Sequence, residues 1–160
     1  MADQSPSQPF MTDLFRLLEE TFEQHQGIYL DKGTSLFETL DTISAQEASQ
    51  PVSATCASIA AQVAHVCFYV ELLTAYMRGE EPGPVDWGEI WRTVEAVTPE
   101  EWAASKQRLR ASYEQVMHLL KSGDGWNDAM ADALAIVVHT AYHLGEIRQA
   151  LCTLKPAVDN

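Results

Sequence analysis

The chain has 160 residues, 46% of them hydrophobic and 21% charged, the profile of one average globular domain of about 100–200 residues. That is apolar enough to build a core without disulfides or metal, which excludes wholesale disorder. Ten Lys and Arg against 23 Asp and Glu give a formal charge of −13. Such a field repels phosphate backbones and anionic lipid heads, so no nucleic acid and no membrane is expected as a partner.

Residues 1–8 are rich in Gln, Ser and Pro and read as a flexible tail. They lack the basic and apolar regions of a signal peptide. From Pro9 an apolar stripe of helical period, including Phe10, Leu14, Leu18, Phe22 and Ile28, predicts a first long helix over 9–28, with Gly33 beyond it as a stop. The segment 34–54 reads as a connection with short helical pieces. Ser44-Ala-Gln-Glu47 is a capping box in it, and Pro51 interrupts it. A second long helix is expected from Thr55 to Arg78, apolar nearly all round and stopped by Gly79. No apolar run is read as reaching the ~18–20 residues of a membrane span.

Gly79 to Val97 is long for a connection. Trp87, Trp91 and Val94 have i, i+4, i+7 spacing, which predicts a short helix inside it. Its tryptophans either pack on the core or form a lid. Thr98-Pro-Glu-Glu101 starts a third long helix, carrying Trp102, Leu109, Tyr113, Val116 and Leu120 and ending before Gly123. Asn127 or Asp128 opens a fourth, which runs to about Leu151. The expectation is an all-α four-helix bundle over 9–154, with rods of matched length, two long crossover connections and a frayed end at 155–160. Cys56, Cys67 and Cys152 are odd in number and form no Cys-x-x-Cys pair. That suits a reducing, cytoplasmic location, and all three read as packing residues.

Five histidines are present. His139 and His143 stand i, i+4 apart, so one helix face carries both imidazoles, one turn apart. His65 lies in the middle of the second helix, on a side that also carries Ser58, Gln62, Tyr69, Leu72 and Tyr76. The other side is purely aliphatic: Ile59, Val63, Val66, Val70, Leu73 and Met77. Two readings fit. The imidazoles are satisfied core residues, or they face one another across the bundle and share a divalent ion that accepts a lone pair from each. Glu146 shares the face of His139 and His143, and is a candidate acceptor for the second N–H of an imidazole or a fourth ligand. Tyr142 is a neighbour on the same helix. Gly145, inside a helix at a cost of about 1 kcal/mol, suggests a close helix crossing. His25 could approach the site from the first helix, whereas His118 reads as solvated. No Glu-x-x-His pair of a di-iron bundle, no zincin pattern and no glycine-flanked serine occurs. Gly123-Asp-Gly125 follows a helix, not a strand, which excludes a phosphate loop.

The run Val138-His-Thr-Ala-Tyr-His-Leu-Gly-Glu-Ile-Arg-Gln-Ala-Leu151, together with His65 and Thr98-Pro-Glu-Glu-Trp102, resembles the DinB-like superfamily, which includes the YfiT-type proteins. The resemblance extends over nearly the whole chain after the tail. It implies a four-helix bundle with an unusual crossover, often a homodimer, and a divalent metal, nickel or zinc, held by His65, His139 and His143. Some relatives are thiol-dependent transferases or isomerases that use a low-molecular-weight thiol such as bacillithiol or mycothiol. The leading expectation is therefore a metal-dependent enzyme, a thiol S-transferase or isomerase acting on a small-molecule ligand. The alternatives are a non-catalytic, metal-binding, dimeric stress-related protein and a metal-dependent hydrolase. Gln62, Tyr69, Tyr142 and Glu146 are candidates for contacts around the metal or substrate, with Trp87 and Trp91 over the mouth. An anionic thiol would need a cation close by, and Arg78, Arg92 and Arg148 are the candidates.

Overall fold

The structure is a computed structural model describing residues 8–122 and 126–155, with backbone alone for 126–128. Among the described residues seven helices follow in order: α1 Gln8–Phe22, α2 Leu36–Leu40, α3 Ala45–Ser49, α4 Ile59–Met77, α5 Glu89–Thr93, α6 Pro99–Ser122 and α7 Trp126–Leu154. No strand occurs among the described residues. α4 lies at the centre and packs against α6 and α7, and α1 packs on α7. The four long helices form the bundle; α2 and α3 fill one crossover and α5 the other. Of the tail assigned to 1–8, only Gln8 is described, and it already belongs to α1. Gly123 to Gly125, the side chains of Asn127 and Asp128, and the end beyond Lys155 lie outside the described residues.

Caps account for several boundaries. Ser44 Oγ accepts from the Glu47 amide while the Glu47 carboxylate accepts from the Ser44 amide. Thr98 and Glu101 exchange the same pair of bonds at the start of α6. α4 ends in a Schellman motif: the Gly79 amide donates to Tyr76 O and the Glu80 amide to Ala75 O. Gly79 has φ +74° there, a conformation that glycine adopts without strain.

Other expectations are corrected. α1 stops at Phe22, not at residue 28, because the chain turns to wrap Glu20. That carboxylate is fully buried, and it accepts the amides of Gln26, Gly27, Ile28, Tyr29 and Leu30 at 3.0–3.3 Å. Burial pushes the Glu20 pKa up, but the amides outweigh it and hold it below the ordinary value. Amides given to Glu20 are unavailable to continue a helix. α4 begins at Ile59, four residues later than expected, with Ser58 Oγ as its cap. The rods are also unequal, running from 15 residues in α1 to 29 in α7, or about 22 to 44 Å at ~1.5 Å per residue.

α4 contradicts the expectation about apolar runs. By length and composition alone its 19 residues could cross a membrane. Its apolar surface is spent on the bundle instead: Ile59, Val63, Val66, Val70, Leu73 and Met77 are all buried. Below them Trp102 is buried and donates its indole N–H to Ile43 O at 2.8 Å, tying α6 to the first crossover.

Candidate metal centre

α4 turns its other side towards α7, which brings the two helices' polar residues together. His65 Nε2 lies 3.1 Å from His139 Nε2. The ring centroid of His143 is 4.9 Å from that of His65 and 4.5 Å from that of His139. One ring nitrogen from each histidine falls within 4.8 Å of the other two. The i, i+4 spacing on α7 and the apolar packing of α4 on α7 thus make three imidazoles converge.

The rings are held in two ways. His143 is held by hydrogen bonds: its Nδ1 meets Gln62 Oε1 at 2.5 Å and Glu146 Oε2 at 3.0 Å. Tyr142 in turn donates its hydroxyl to Glu146 Oε1 at 2.9 Å. With its proton on Nδ1, His143 keeps the Nε2 lone pair free. His65 and His139 have no hydrogen-bond partner at Nδ1. Aromatic walls orient them instead. Tyr69 stacks on His139 with centroids 3.6 Å apart and planes 11° apart, and Trp91 lies 4.5 Å from His65.

Burial disfavours the charged form of all three imidazoles. Burial, followed by the neighbouring His143 and His65, lowers the His139 pKa to about 4. Burial and His143 lower His65 against the opposing pull of Glu146, and burial lowers His143 against the same carboxylate. Neutral imidazole is the ligand form of histidine. The 3.1 Å between two ring nitrogens is also near the about 3.3 Å separation of two nitrogens on a tetrahedral ion with bonds of about 2.0–2.1 Å. The donor set fits a divalent metal.

The sequence model of the DinB superfamily matches residues 32–147. The chain belongs to the DinB superfamily. The match contains all three histidines of this DinB chain; α1 and the end of α7 lie outside it, so it is narrower than the resemblance read from the sequence. No curated protein and no solved structure matches the chain.

The remaining candidates separate cleanly. Gln62, Tyr69, Tyr142 and Glu146 all touch the cluster. Trp91 lies against His65, while Trp87 packs on Phe68 and Tyr69. Both tryptophans stay partly exposed, and α5 contributes no buried residue to the core. His25 and His118 are exposed and outside the cluster. Cys67 is buried, faces Ser112 and Glu71, and is pushed up to about 11 by burial and then by Glu71. Cys56 and Cys152 are exposed, against the expectation that all three cysteines pack. Gly145 meets no crossing helix, since a Cβ built there finds nothing within 4 Å. None of the three arginines proposed to recognise an anionic thiol is free at the site. Arg78 bonds Gln115, Arg92 pairs with Asp86, and Arg148 reaches Thr39. Sequence reasoning missed Glu20, which carries no motif and is recognisable only by the amides that surround it.

Proposed function

We propose that this DinB-superfamily chain is a divalent-metal-dependent enzyme, with His65, His139 and His143 as the ligands of nickel or zinc. The single observation that carries the reading is the convergence of three imidazoles from α4 and α7. A divalent ion held by three histidines retains an open position and activates a water or a thiol as a nucleophile near neutral pH. The chain's own residues prepare that chemistry. Gln62 and Glu146 fix the tautomer of His143, Tyr142 fixes the Glu146 carboxylate, and Tyr69 and Trp91 shield His139 and His65 from solvent.

Of the two nucleophiles, water is the better supported, which favours metal-dependent hydrolysis. A thiol carrying several carboxylates needs a cation, and the three candidate arginines, Arg78, Arg92 and Arg148, are engaged with Gln115, Asp86 and Thr39 respectively. S-transfer or isomerisation with an uncharged low-molecular-weight thiol is the second reading. A homodimer in the cytoplasm, engaging a small molecule and neither nucleic acid nor membrane, completes the proposal; three unpaired cysteines suit a reducing compartment.

Metal analysis of untagged protein tests this. The wild type is expected to carry about one ion per chain, and His65→Ala, His139→Ala and His143→Ala to lose most of it. Unchanged metal content in these variants would refute ligation. Turnover of ester or amide substrates by the loaded wild type, absent in His139→Ala, supports hydrolysis; turnover only with added thiol supports transfer.

A further inference from the structure

A cleft of about 650 Å³ opens between the 52–57 loop and α7, within the range of small-molecule sites. Gln62 and Glu146 line it, and these are the residues whose oxygens meet His143 Nδ1. The cleft therefore backs directly onto the histidine cluster. Tyr142, Gly145 and Gln149 supply its α7 wall and Cys56 faces them from the loop.

Gly145 is the anomaly in that wall. It stands inside α7, where glycine costs about 1 kcal/mol relative to alanine. Packing does not require it, because a Cβ there meets nothing within 4 Å. Backbone conformation does not require it, because it is not among the glycines of positive φ. What the missing side chain leaves is open volume on an exposed helix face beside the cleft. Because Gly145 lines the cleft, the missing side chain widens it at this point.

The lining also selects a class. Glu146 is the one charged residue among those lining the cleft. Its oxygens already serve His143 and Tyr142, but a carboxylate offers about four acceptor positions, so capacity for another donor remains. The exposed Tyr142 ring offers a π face to the same cation. A chain of charge −13 concentrates cations at its surface. Val52, Ala57 and Ala150 provide apolar contact for the body of the ligand. We propose that this cleft binds a small organic amine in its protonated form, with Glu146 reading the ammonium group and Gly145 making room for the body. As a statement about substrate this rests on the metal-enzyme reading; as a statement about binding it does not.

Benzylamine, benzyl alcohol and benzoate, matched in size, are to be titrated into the metal-free full-length chain and followed by amide NMR shifts. Benzylamine is expected to shift the Gln62, Gly145 and Gln149 amides and to bind at least about tenfold more tightly than benzoate. Glu146→Gln should erase that preference. Gly145→Leu should weaken benzylamine by about tenfold or more while raising the thermal midpoint, because leucine is the better helix former. Those opposite signs distinguish a ligand seat from a glycine of structural use. Benzoate binding as well as benzylamine, or shifts confined to other regions, overturns the proposal. So does Gly145→Leu changing sedimentation but not amine binding, which would assign the face to a second copy of the chain. Amine binding that survives in a chain unable to take up metal supports the cleft and defeats only the reading above.

Discussion

Glu20 and His65 are both polar side chains buried in the bundle, and their surroundings treat them in opposite ways. Glu20 accepts five backbone amides from a loop that folds around it. His65 meets another imidazole at Nε2 and has no hydrogen-bond partner at Nδ1. Among the described residues, the buried side-chain polar atoms without a hydrogen-bond partner are His65 Nδ1, His139 Nδ1 and Thr140 Oγ1, all on α4 and α7 at the level of the cluster. A buried polar group that serves the fold is satisfied, since leaving it unmet costs about 1–3 kcal/mol. Groups left unmet call for an explanation other than packing. The contrast separates a structural clamp from a site.

The comparison breaks if the two regions respond alike. The largest effect is expected at the clamp. Glu20→Ala should lower unfolding free energy by about 3 kcal/mol or more, because several amides lose their acceptor at once. Urea unfolding measures this, and metal uptake per folded molecule should not change. A stability loss under about 1 kcal/mol would show that water replaces the carboxylate.

Acid pH should then separate the two regions in order. The folded pKa of His139 lies near 4 against 6.5 for the free group, so the unfolded chain binds the proton first. Its contribution to the stability of the metal-free protein is complete above about 6.5 and falls away as the pH drops towards 4. Glu20 is also lowered, from 4.5, so its contribution is lost only below that value. Between pH 7 and 4 the thermal midpoint of metal-free wild type should fall more steeply than that of His139→Ala; parallel curves would contradict the burial of a neutral ring. Metal binding should weaken over the same acid range, since protons compete for the ligand nitrogens.

A smaller effect is expected beside the ligands. Glu146→Gln should reduce metal affinity by about tenfold, the low end for a residue that orients a ligand, because Gln62 still accepts from His143 Nδ1. Competition with a chelator measures it, and a change above a thousandfold would make Glu146 itself a ligand. The smallest belongs to a cap far from both regions: Thr98→Ala should cost about 1 kcal/mol and leave metal uptake unaltered.

Helices and their caps were legible in the sequence because they depend on neighbours three and four residues away. The Ser44–Glu47 and Thr98–Glu101 boxes, the Gly79 stop, the short helix around Trp91 and the aliphatic side of α4 are all local patterns. The i, i+4 pair His139 and His143 belongs with them, and His65 could be set on the polar side of its helix by spacing alone. Three-dimensional packing decided the rest. Glu20 ends α1 through a loop up to ten residues further on, and His65 reaches His139 across 74 positions. The positions of Arg78, Arg92 and Arg148, the exposure of Cys56 and the open space at Gly145 depend on how the helices are docked. Short-range periodicity determines which elements form and which side of each is polar; the docking of α4 on α7 determines which polar groups meet, because that distance is set by the packing of apolar surfaces remote from one another in the chain.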